Sequence, residues 1–275
     1  GPENPPLTKV VENAAAGAIG SYDPGTLDLT TTYFWQVVSK NANGYTEGDV
    51  WEFTTTCGTF TTPFSEDFEA VTIPELPYCW QGLVNSTSGS ATVQTTNYYG
   101  VGGSQCVKLY NADDMNATVI FVSPQVELDG GSMAEKMVSF SMMGFSYPFL
   151  SVGTMSDPAD ESTYTEYQSF IVYDYITEHD VYFTDYTGTD TYIAFKLDAY
   201  NVYQDIYLDE ITVNDLPTCI KPSDIYADNL TINSAEIFWT DLNGATSWNI
   251  EYGPEGFTPT GIPTVSGVTN PYEIT

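Results

Sequence analysis

Hydrophobic and polar residues alternate along much of this chain, most clearly between residues 192 and 213. In residues 192–197 every second side chain is large and apolar, as in Ile193 and Phe195. Such a period of two, carried by β-branched and aromatic residues, is typical of β-strands. We therefore predict two long antiparallel strands here, joined by a loop over residues 199–205, which close a β-sandwich.

The second of these strands is predicted to keep the same period from Ile206 to Val213. Strict alternation places Ile206 and Leu208 on the face that also carries Glu210. The opposite face then carries Asp209 together with Val213. Each face of this strand is thus expected to combine apolar residues with an acidic one.

The centre of the chain, residues 58–215, has no helix-period segment of useful length. Its other strand candidates are separated by turn-forming glycine, asparagine and proline residues, and they cover residues 64–68, 91–95, 106–110, 117–122, 136–141, 149–154, 169–173 and 180–183. Together with the closing pair, these strands suffice for two antiparallel sheets in a jelly-roll-like sandwich. We predict an all-β protein with this central domain at residues 58–215.

Both ends of the chain resemble parts of fibronectin type III domains, which are immunoglobulin-like sandwiches. Residues 1–57 end in two alternating strands across an Asn-Gly turn, and the segment from Pro24 to Tyr33 resembles the tyrosine-corner region. Residues 216–275 resemble the first three strands, with Trp239 on an inward face. Half a sandwich exposes an apolar face and unpaired edges. We therefore expect the two ends to pair, within one chain or between neighbouring chains.

The charge of the chain excludes several classes of function. There are 37 acidic residues, six basic residues that are all lysines, and a single histidine, for a formal net charge of −31. This charge repels phosphate backbones, so we exclude nucleic-acid binding. It also disfavours anionic lipid surfaces, and no transmembrane or lipidation pattern occurs, so we expect no membrane insertion. We expect the chain to be a piece of a longer exported protein.

The four cysteines, Cys57, Cys79, Cys106 and Cys219, lack the spacing of a zinc site. Cys57 and Cys219 flank the central domain, so a disulfide can join them if the ends of that domain lie side by side. Disulfides fit an exported protein. Four buried free thiols remain the alternative, because these spacings do not fix the connectivity.

Five motifs of the central domain occur in a recognisable order: Pro63-Phe-Ser-Glu-Asp-Phe-Glu, Leu76-Pro-Tyr-Cys-Trp, Val152-Gly-Thr-Met-Ser-Asp-Pro-Ala-Asp-Glu-Ser-Thr-Tyr, Tyr186-Thr-Gly-Thr-Asp-Thr-Tyr-Ile-Ala-Phe-Lys and Tyr207-Leu-Asp-Glu-Ile-Thr-Val. They resemble the cleaved-adhesin, or choice-of-anchor J, family, which includes the haemagglutinin/adhesin domains of gingipain proteases. The chain departs from this family at Cys106. The resemblance implies a jelly roll in a secreted or surface-anchored bacterial protein, with structural calcium and adhesion or ligand binding in place of catalysis.

Acidic residues of the first and last central strands form a candidate calcium site: Glu66, Asp67, Glu69, Asp209 and Glu210. If these strands meet, their carboxylates converge, and mutual repulsion then favours a cation or protonation. Backbone carbonyls would complete the six to eight oxygen ligands that calcium takes. No EF-hand pattern supports the site, and a solvated acidic rim is the alternative.

A second candidate is a face that binds sugars or peptides, formed by aromatic and amide side chains in predicted loops: Tyr98, Tyr99, Tyr147, Phe149, Tyr200, Asn201, Tyr203 and Gln204. Flat rings stack on the apolar faces of sugars while amides bond to the hydroxyls, and loops at the ends of a sandwich often carry such sites. Packing in the core or at strand edges is the alternative for each ring.

Catalysis has little support in the sequence. His179 is the only histidine, and no Gly-x-Ser-x-Gly nucleophile motif occurs. We predict a non-enzymatic, extracellular or bacterial cell-surface adhesin module that binds host glycans, host proteins or polysaccharide. The first alternative is an accessory carbohydrate-binding or spacer region of a larger secreted hydrolase or protease. A hydrolase that uses a carboxylate pair is the weaker third possibility.

Overall fold

The computed structural model describes Leu27 and residues 31–275, and the chain divides into two compact units, Gly1–Asn214 and Asp215–Thr275. The described residues form β-strands and two short 3₁₀ turns, without an α-helix. The all-β prediction is confirmed. No helix in this described part is long and apolar enough to cross a membrane. Most of the predicted tyrosine-corner segment from Pro24 lies outside the described residues, and the division into three domains stays a prediction.

From residue 31 onward, the first unit consists of a hairpin followed by a sandwich. The hairpin consists of β1 (Thr32–Asn41) and β2 (Gly44–Thr54), across the predicted Asn-Gly turn. The sandwich strands are β3 (Phe64–Glu66), β4 (Gln81–Asn85), β5 (Thr92–Thr96), β6 (Cys106–Tyr110), β7 (Thr118–Val122), β8 (Lys136–Phe145), β9 (Phe149–Met155), β10 (Thr165–Ile171), β11 (Thr177–Tyr182), β12 (Tyr192–Asp198) and β13 (Asp205–Asp215). The 3₁₀ turns are Met133–Glu135 and Glu161–Thr163.

These strands form two antiparallel sheets. One sheet has the order β10-β9-β12-β7-β4, and the other has the order β11-β8-β13-β6-β5 with β3 also paired to β13. The chain passes repeatedly from one sheet to the other, since β4, β7, β9, β10 and β12 belong to the first and the rest to the second. This interleaving matches the predicted sandwich, in which the two apolar sheet faces bury each other.

Every second side chain of most strands enters the core between the sheets. From β12 the core takes Ile193, Phe195 and Leu197, as predicted, while Ala194 packs on the outer face of the sheet. Phe121 of β7 lies at the centre of the core, with its ring centroid 4.8 Å from that of Trp80. The core is therefore built on stacked and tilted aromatic rings as well as on aliphatic chains.

The strict alternation predicted for β13 is wrong. Ile206 and Leu208 belong to the core, and so do Ile211 and Val213, although the two pairs differ in parity. Glu210 adopts a positive φ of 51°, which inserts one extra residue into the strand as a β-bulge. Beyond it, the odd-numbered side chains point into the core in place of the even-numbered ones. Residues 205–208 consequently pair with β6, and residues 211–213 pair with β3.

Neither alternative left open by the sequence is observed, since Cys57 and Cys219 are not bonded to each other and the four cysteines are not all free thiols. Cys57 is bonded to Cys79, with 5.7 Å between their Cα atoms and 22 residues of sequence separation. Cys106 is a buried free thiol, and Cys219 is an exposed one in the second unit. The spacing of the cysteines could not predict this bond, because the bond depends on the turn before β4. Cys79 has a positive φ of 67° in that turn, which brings it back to Cys57.

We expect loss of the disulfide to destabilise the first unit substantially. Closing a loop of this length removes about 3 kcal/mol of chain entropy from the unfolded state. Urea unfolding of a Cys57→Ser/Cys79→Ser variant should therefore show a free energy of unfolding lower by about 3 kcal/mol. Cys219→Ser is the matched control, because that thiol is free and exposed, and an equal loss in the control would contradict the assignment.

The second unit contains five strands in two small sheets. The strands are β14 (Ser223–Asp228), β15 (Ala235–Thr240), β16 (Trp248–Ile250), β17 (Val265–Val268) and β18 (Tyr272–Ile274). The first sheet has the order β14-β15-β18, and β16 pairs only with β17. Trp239 and Trp248 meet between the sheets, with ring centroids 5.3 Å apart. Trp239 thus lies on an inward face, as predicted, while β17 and β18 were not predicted.

Candidate functional site

The acidic residues of the first and last sandwich strands lie close together, because β3 pairs with β13. Glu66 is opposite Ile211 in this pairing. Beyond the strand end, the Glu69 carboxylate accepts hydrogen bonds from the backbone N–H groups of Ser104 and Gln105 and from the Ser104 hydroxyl. These three donors lower the pKa of Glu69 and hold the loop before β6 against the start of the sandwich.

Asp209 is the buried member of this acidic group. Its Oδ1 accepts a hydrogen bond from the Glu210 N–H at 2.7 Å, and its Oδ2 accepts one from the Gly103 N–H at 3.1 Å. Burial, together with the negative charges of Glu210 and Glu69, raises the pKa of Asp209 to about 7, although the two hydrogen bonds act in the opposite direction. Asp209 is thus an acid that is easily protonated near neutral pH.

The loop that contacts these acids requires glycine at position 102. Gly102 has a φ of +118°, and a Cβ atom there would lie 2.6 Å from the Glu210 Cγ and 3.2 Å from the Asp209 Oδ2. Only glycine combines this backbone conformation with so close an approach. The glycine-rich segment after β5 is therefore shaped to bring backbone N–H groups onto carboxylates.

The remaining two residues of the predicted calcium set have local partners. Glu66 accepts a hydrogen bond from the Phe68 N–H at 2.8 Å, and Asp67 accepts one from the Glu69 N–H at 3.2 Å. Among the residues that the structure describes, no three or more His, Cys, Asp and Glu side chains form a group that could hold a metal ion. Calcium binding stays a prediction.

A second group of predicted residues lies in the connections of β8–β9 and β12–β13. Ser146 and Tyr147 have positive φ values of 67° and 52°, which turn the chain sharply between β8 and β9. The Ser146 carbonyl accepts hydrogen bonds from the Tyr200 hydroxyl at 2.6 Å and from the Gln204 amide at 3.0 Å. One carbonyl therefore fixes the two loops to each other.

Gln204 and Asn201 shape the loop between β12 and β13. The Gln204 side chain is fully buried, and its carbonyl accepts hydrogen bonds from the N–H groups of Tyr200 and Asn201. The Asn201 backbone carbonyl accepts a hydrogen bond from Asn111, and its side-chain oxygen accepts one from the Val202 N–H. The Gln204 amide is therefore committed to holding the loop and leaves the rings as the accessible groups.

Exposed aromatic rings project from these connections and from the one between β10 and β11. We call the following set the aromatic rim: Tyr147, Phe149, Tyr173, Tyr175 and Tyr200. Their exposed fractions lie between 36% and 57%. Tyr173 stacks on Tyr175 at 5.2 Å between centroids and meets the edge of Tyr147 at 6.2 Å, while Phe149 lies 6.5 Å from Tyr200. The rim thus provides several flat rings with faces open to solvent.

The structure separates the predicted ligand residues into two groups. Tyr147, Phe149 and Tyr200 belong to the rim, and Tyr203 is exposed in the same loop as Tyr200. Tyr98 and Tyr99 instead follow β5, on the outer side of the second sheet. There Tyr99 packs against Phe145 and Tyr207, each at 5.0 Å, and Tyr98 packs edge-on against Tyr99.

Sequence reasoning missed Tyr173 and Tyr175. The available signal was the short segment Tyr173-Asp-Tyr-Ile, which carries two tyrosines at a spacing of two outside any strand. The sequence predicts a strand over residues 169–173, which includes Tyr173. The observed strand β10 ends at Ile171 and leaves both tyrosines in the following loop. His179 has a structural position, since its ring packs on Phe170 at 4.5 Å and burial lowers its pKa.

No protein-family model matches this sequence, and no curated protein matches it either. Solved structures of similar shape include the K1 cleaved adhesin domain of Lys-gingipain from Porphyromonas gingivalis W83, at 16% identity and a TM-score of 0.43, over 57% of this chain and 99% of that one. The CBM22-1 xylan-binding domain of Paenibacillus barcinonensis Xyn10C is similar at 13% identity and a TM-score of 0.36, over 57% and 97%.

A third similar structure is the C-terminal family 22 carbohydrate-binding module of Clostridium thermocellum Xyn10B. It has 15% identity and a TM-score of 0.39, over 57% of this chain and 96% of that one. With TM-scores below 0.5, these similarities assign neither a family nor a function to the chain.

Proposed function

We propose that this protein is a non-catalytic glycan-binding module and that the aromatic rim is its binding surface. The observation that carries the proposal is the series of exposed, mutually contacting rings formed by Tyr147, Tyr173 and Tyr175. A tyrosine face is apolar enough to cover the C–H face of a sugar ring, and its hydroxyl stays available to water or to the sugar. Grouped rings offer several such contacts to one chain of sugars.

The rim is also positioned to bind without a large entropy cost. Its loops are anchored to the sandwich by the two hydrogen bonds on the Ser146 carbonyl and by the buried Gln204 side chain. The left-handed backbone of Ser146 and Tyr147 is held in place by these contacts. A surface that is ordered before binding loses less conformational freedom when the ligand arrives. Binding loops on a rigid sandwich are a common arrangement for recognition.

We further propose that the protein works outside the cell, as an adhesin module on or near a bacterial surface. The disulfide between Cys57 and Cys79 supports this location, because such bonds form and persist in oxidising compartments. The net charge of −31 supports a soluble, salt-exposed surface. Recognition of a glycan by ring stacking does not depend on charge, so it is compatible with both observations.

The first test is binding to a glycan array, followed by isothermal titration calorimetry with the polysaccharides that bind. We expect Tyr147→Ala and Tyr175→Ala each to weaken binding about tenfold, which corresponds to about 1.4 kcal/mol and is near the value of one aromatic contact. Tyr45→Ala is the matched control, because Tyr45 is an exposed tyrosine of the β1–β2 hairpin and does not belong to the rim.

Two results would count against this proposal. Unchanged affinity in both rim variants would remove the rim as the binding surface, and a loss in Tyr98→Ala alone would move the site to the outer side of the second sheet. Failure to bind any neutral or acidic glycan on the array would remove the proposed function itself. Circular dichroism and thermal melting of each variant establish that it is folded.

A further inference from the structure

The aromatic rim borders a group of side chains on the outer face of the first sheet. Phe149 of β9 lies opposite Asp198 of β12 on one side and opposite Ile171 of β10 on the other. Residues opposite each other in antiparallel strands project from the same face of a sheet, with their Cβ atoms about 5 Å apart. Leu150 and Leu197, their neighbours along the chain, belong to the core. This row of three side chains therefore lies on the outer face.

A lysine completes the group. Lys196 precedes Asp198 by two residues in β12, so it lies on the same face, and its Nζ is 2.6 Å from the Asp198 Oδ1. The two side chains are 30% and 31% exposed, and Phe149 and Ile171 are exposed as well. We call these four residues the outer block: Phe149, Ile171, Lys196 and Asp198. The outer block thus places an accessible ion pair beside an accessible aromatic ring.

The outer block is continuous with the aromatic rim. Phe149 belongs to both, and its ring centroid lies 6.5 Å from that of Tyr200. At the other end of the block, the Lys196 Nζ lies 5.5 Å from the centroid of the Tyr164 ring. Beyond the ion pair, Ser151 lies opposite Lys196 and is completely buried. A ligand that extends over the rim therefore meets the outer block at one end and can go no deeper than the ion pair.

The side chains of the outer block match the two surfaces of a sugar ring. The apolar face of a sugar packs on an aromatic ring such as that of Phe149, and Ile171 extends this platform. A carboxylate only accepts hydrogen bonds, and an ammonium only donates them. Neighbouring hydroxyls of the stacked sugar can therefore donate to Asp198 and accept from Lys196 at the same time.

The charges around the block disfavour acidic sugars. Asp198 offsets the charge of Lys196, and Glu166 adds a second carboxylate nearby. Burial, together with the negative charges of Asp198 and Glu166, raises the pKa of Tyr164, although Ser151 acts in the opposite direction. Two carboxylates thus lie near one ammonium, in a chain whose net charge is −31. A uronic or sialic acid is repelled here, and a neutral sugar is not.

We propose that the outer block is a specificity subsite, which recognises the free hydroxyls of one neutral sugar in a glycan that is bound along the aromatic rim. This inference rests on the proposed glycan-binding function and names the class of ligand. The ligand is a neutral oligosaccharide in which neighbouring hydroxyls of the sugar on Phe149 are unsubstituted. Asp198 and Lys196 determine this preference, while the rings of the rim supply the remaining contacts.

Isothermal titration calorimetry with cellohexaose, xylohexaose, mannohexaose, maltohexaose and hexagalacturonic acid tests the proposal. We expect at least one neutral hexasaccharide to bind, and hexagalacturonic acid to bind more weakly. The O-methylated form of the bound hexasaccharide should bind about tenfold more weakly than the free form, because a methyl ether cannot donate to Asp198.

Two variants locate this preference. Asp198→Ala should bind the free hexasaccharide about tenfold more weakly and the O-methylated form as the wild type does, so that the preference disappears. Lys196→Met should also weaken binding of the free form. Lys108→Met is the matched control and should bind like the wild type, because Lys108 pairs with Asp205 in the second sheet, at 3.3 Å.

The outcomes separate the subsite from the proposed function. Loss of binding in Tyr147→Ala with unchanged binding in Asp198→Ala overturns the subsite and leaves the rim as the binding surface. Binding on the glycan array without binding of any neutral hexasaccharide, or tighter binding of hexagalacturonic acid, overturns the ligand class alone. An equal loss for free and O-methylated forms in Asp198→Ala assigns the ion pair a structural role and also overturns the subsite. The wild-type comparisons stand even if a variant unfolds.

Discussion

Replacing Phe121 by alanine should lower the free energy of unfolding by about 4 kcal/mol, the range found for deleting a buried phenylalanine ring. Phe121 is fully buried in β7, and its ring touches those of Trp80, Phe68 and Phe195 at centroid distances of 4.8, 6.0 and 6.4 Å. Removing it leaves a cavity between the sheets that these flat neighbours fill poorly. For a unit of this size the melting temperature should fall by roughly 10 °C.

Two further variants are references for the loss of stability in Phe121→Ala. Phe121→Leu keeps part of the volume and should lose less than half as much stability. Phe149→Ala removes the same ring from the partly exposed rim and should cost well under the core value. Equal losses for Phe121→Ala and Phe149→Ala would contradict the position of Phe121 at the centre of the core. Differential scanning calorimetry measures all three.

The second large effect that we expect is a dependence of stability on pH that is caused by Asp209. Its folded pKa of about 7 lies above the ordinary value of 3.8. The folded state therefore binds a proton that the unfolded state does not between these two values. Stability should rise as the pH falls from above 7 toward 4, by up to about 4 kcal/mol for a shift of this size.

Asp209→Asn should remove this dependence, because asparagine is neutral and nearly the same size. We expect the variant to be more stable than the wild type at pH 8 and to lose the fall in stability between pH 5 and 8. What remains is the opposite contribution of His179, whose lowered pKa makes stability rise with pH. Urea unfolding at several pH values measures both. A wild-type profile that instead rises with pH over this range would contradict the raised pKa of Asp209.

Added calcium separates the two ways of relieving the repulsion among Asp209, Glu210 and Glu69. If the predicted calcium site exists, millimolar calcium at pH 8 should raise the melting temperature of the wild type and leave Asp209→Asn nearly unchanged. If protonation alone relieves the repulsion, calcium should change neither protein. The calcium prediction fails in the second case, while the pH dependence stays.

The sandwich strands could be predicted because their signal is local. In β6, β9 and β12, apolar side chains alternate with small or polar ones over five to seven residues, and the predicted bounds agree with the observed ones to within a residue or two. β4 was missed, because Gly82 and its polar neighbours carry little apolar pattern. It is a strand through its pairing with β7, which is a tertiary property.

The features that could not be predicted all depend on how distant segments meet. The change in which side chains of β13 face the core occurs at Glu210. An alternating sequence pattern gives no sign that this residue has a positive φ. The partner of Cys57 depends on a turn before β4 that returns Cys79 to it. The rim likewise forms because Ser146 accepts hydrogen bonds from residues more than 50 positions away. The residue types were visible in the sequence, and their grouping was not.

The disulfide between Cys57 and Cys79 also determines how the first unit bears mechanical tension. A pull on the chain before residue 57 passes through the sulfur bridge directly to Cys79 and β4, and it bypasses residues 58–78. β3 lies inside this bypassed loop, so it cannot be peeled from β13 by a force on that side of the chain. While the bridge is oxidised, the pairing of β3 with β13 carries none of this load, and reduction of the bridge would place β3 directly in the path of the force.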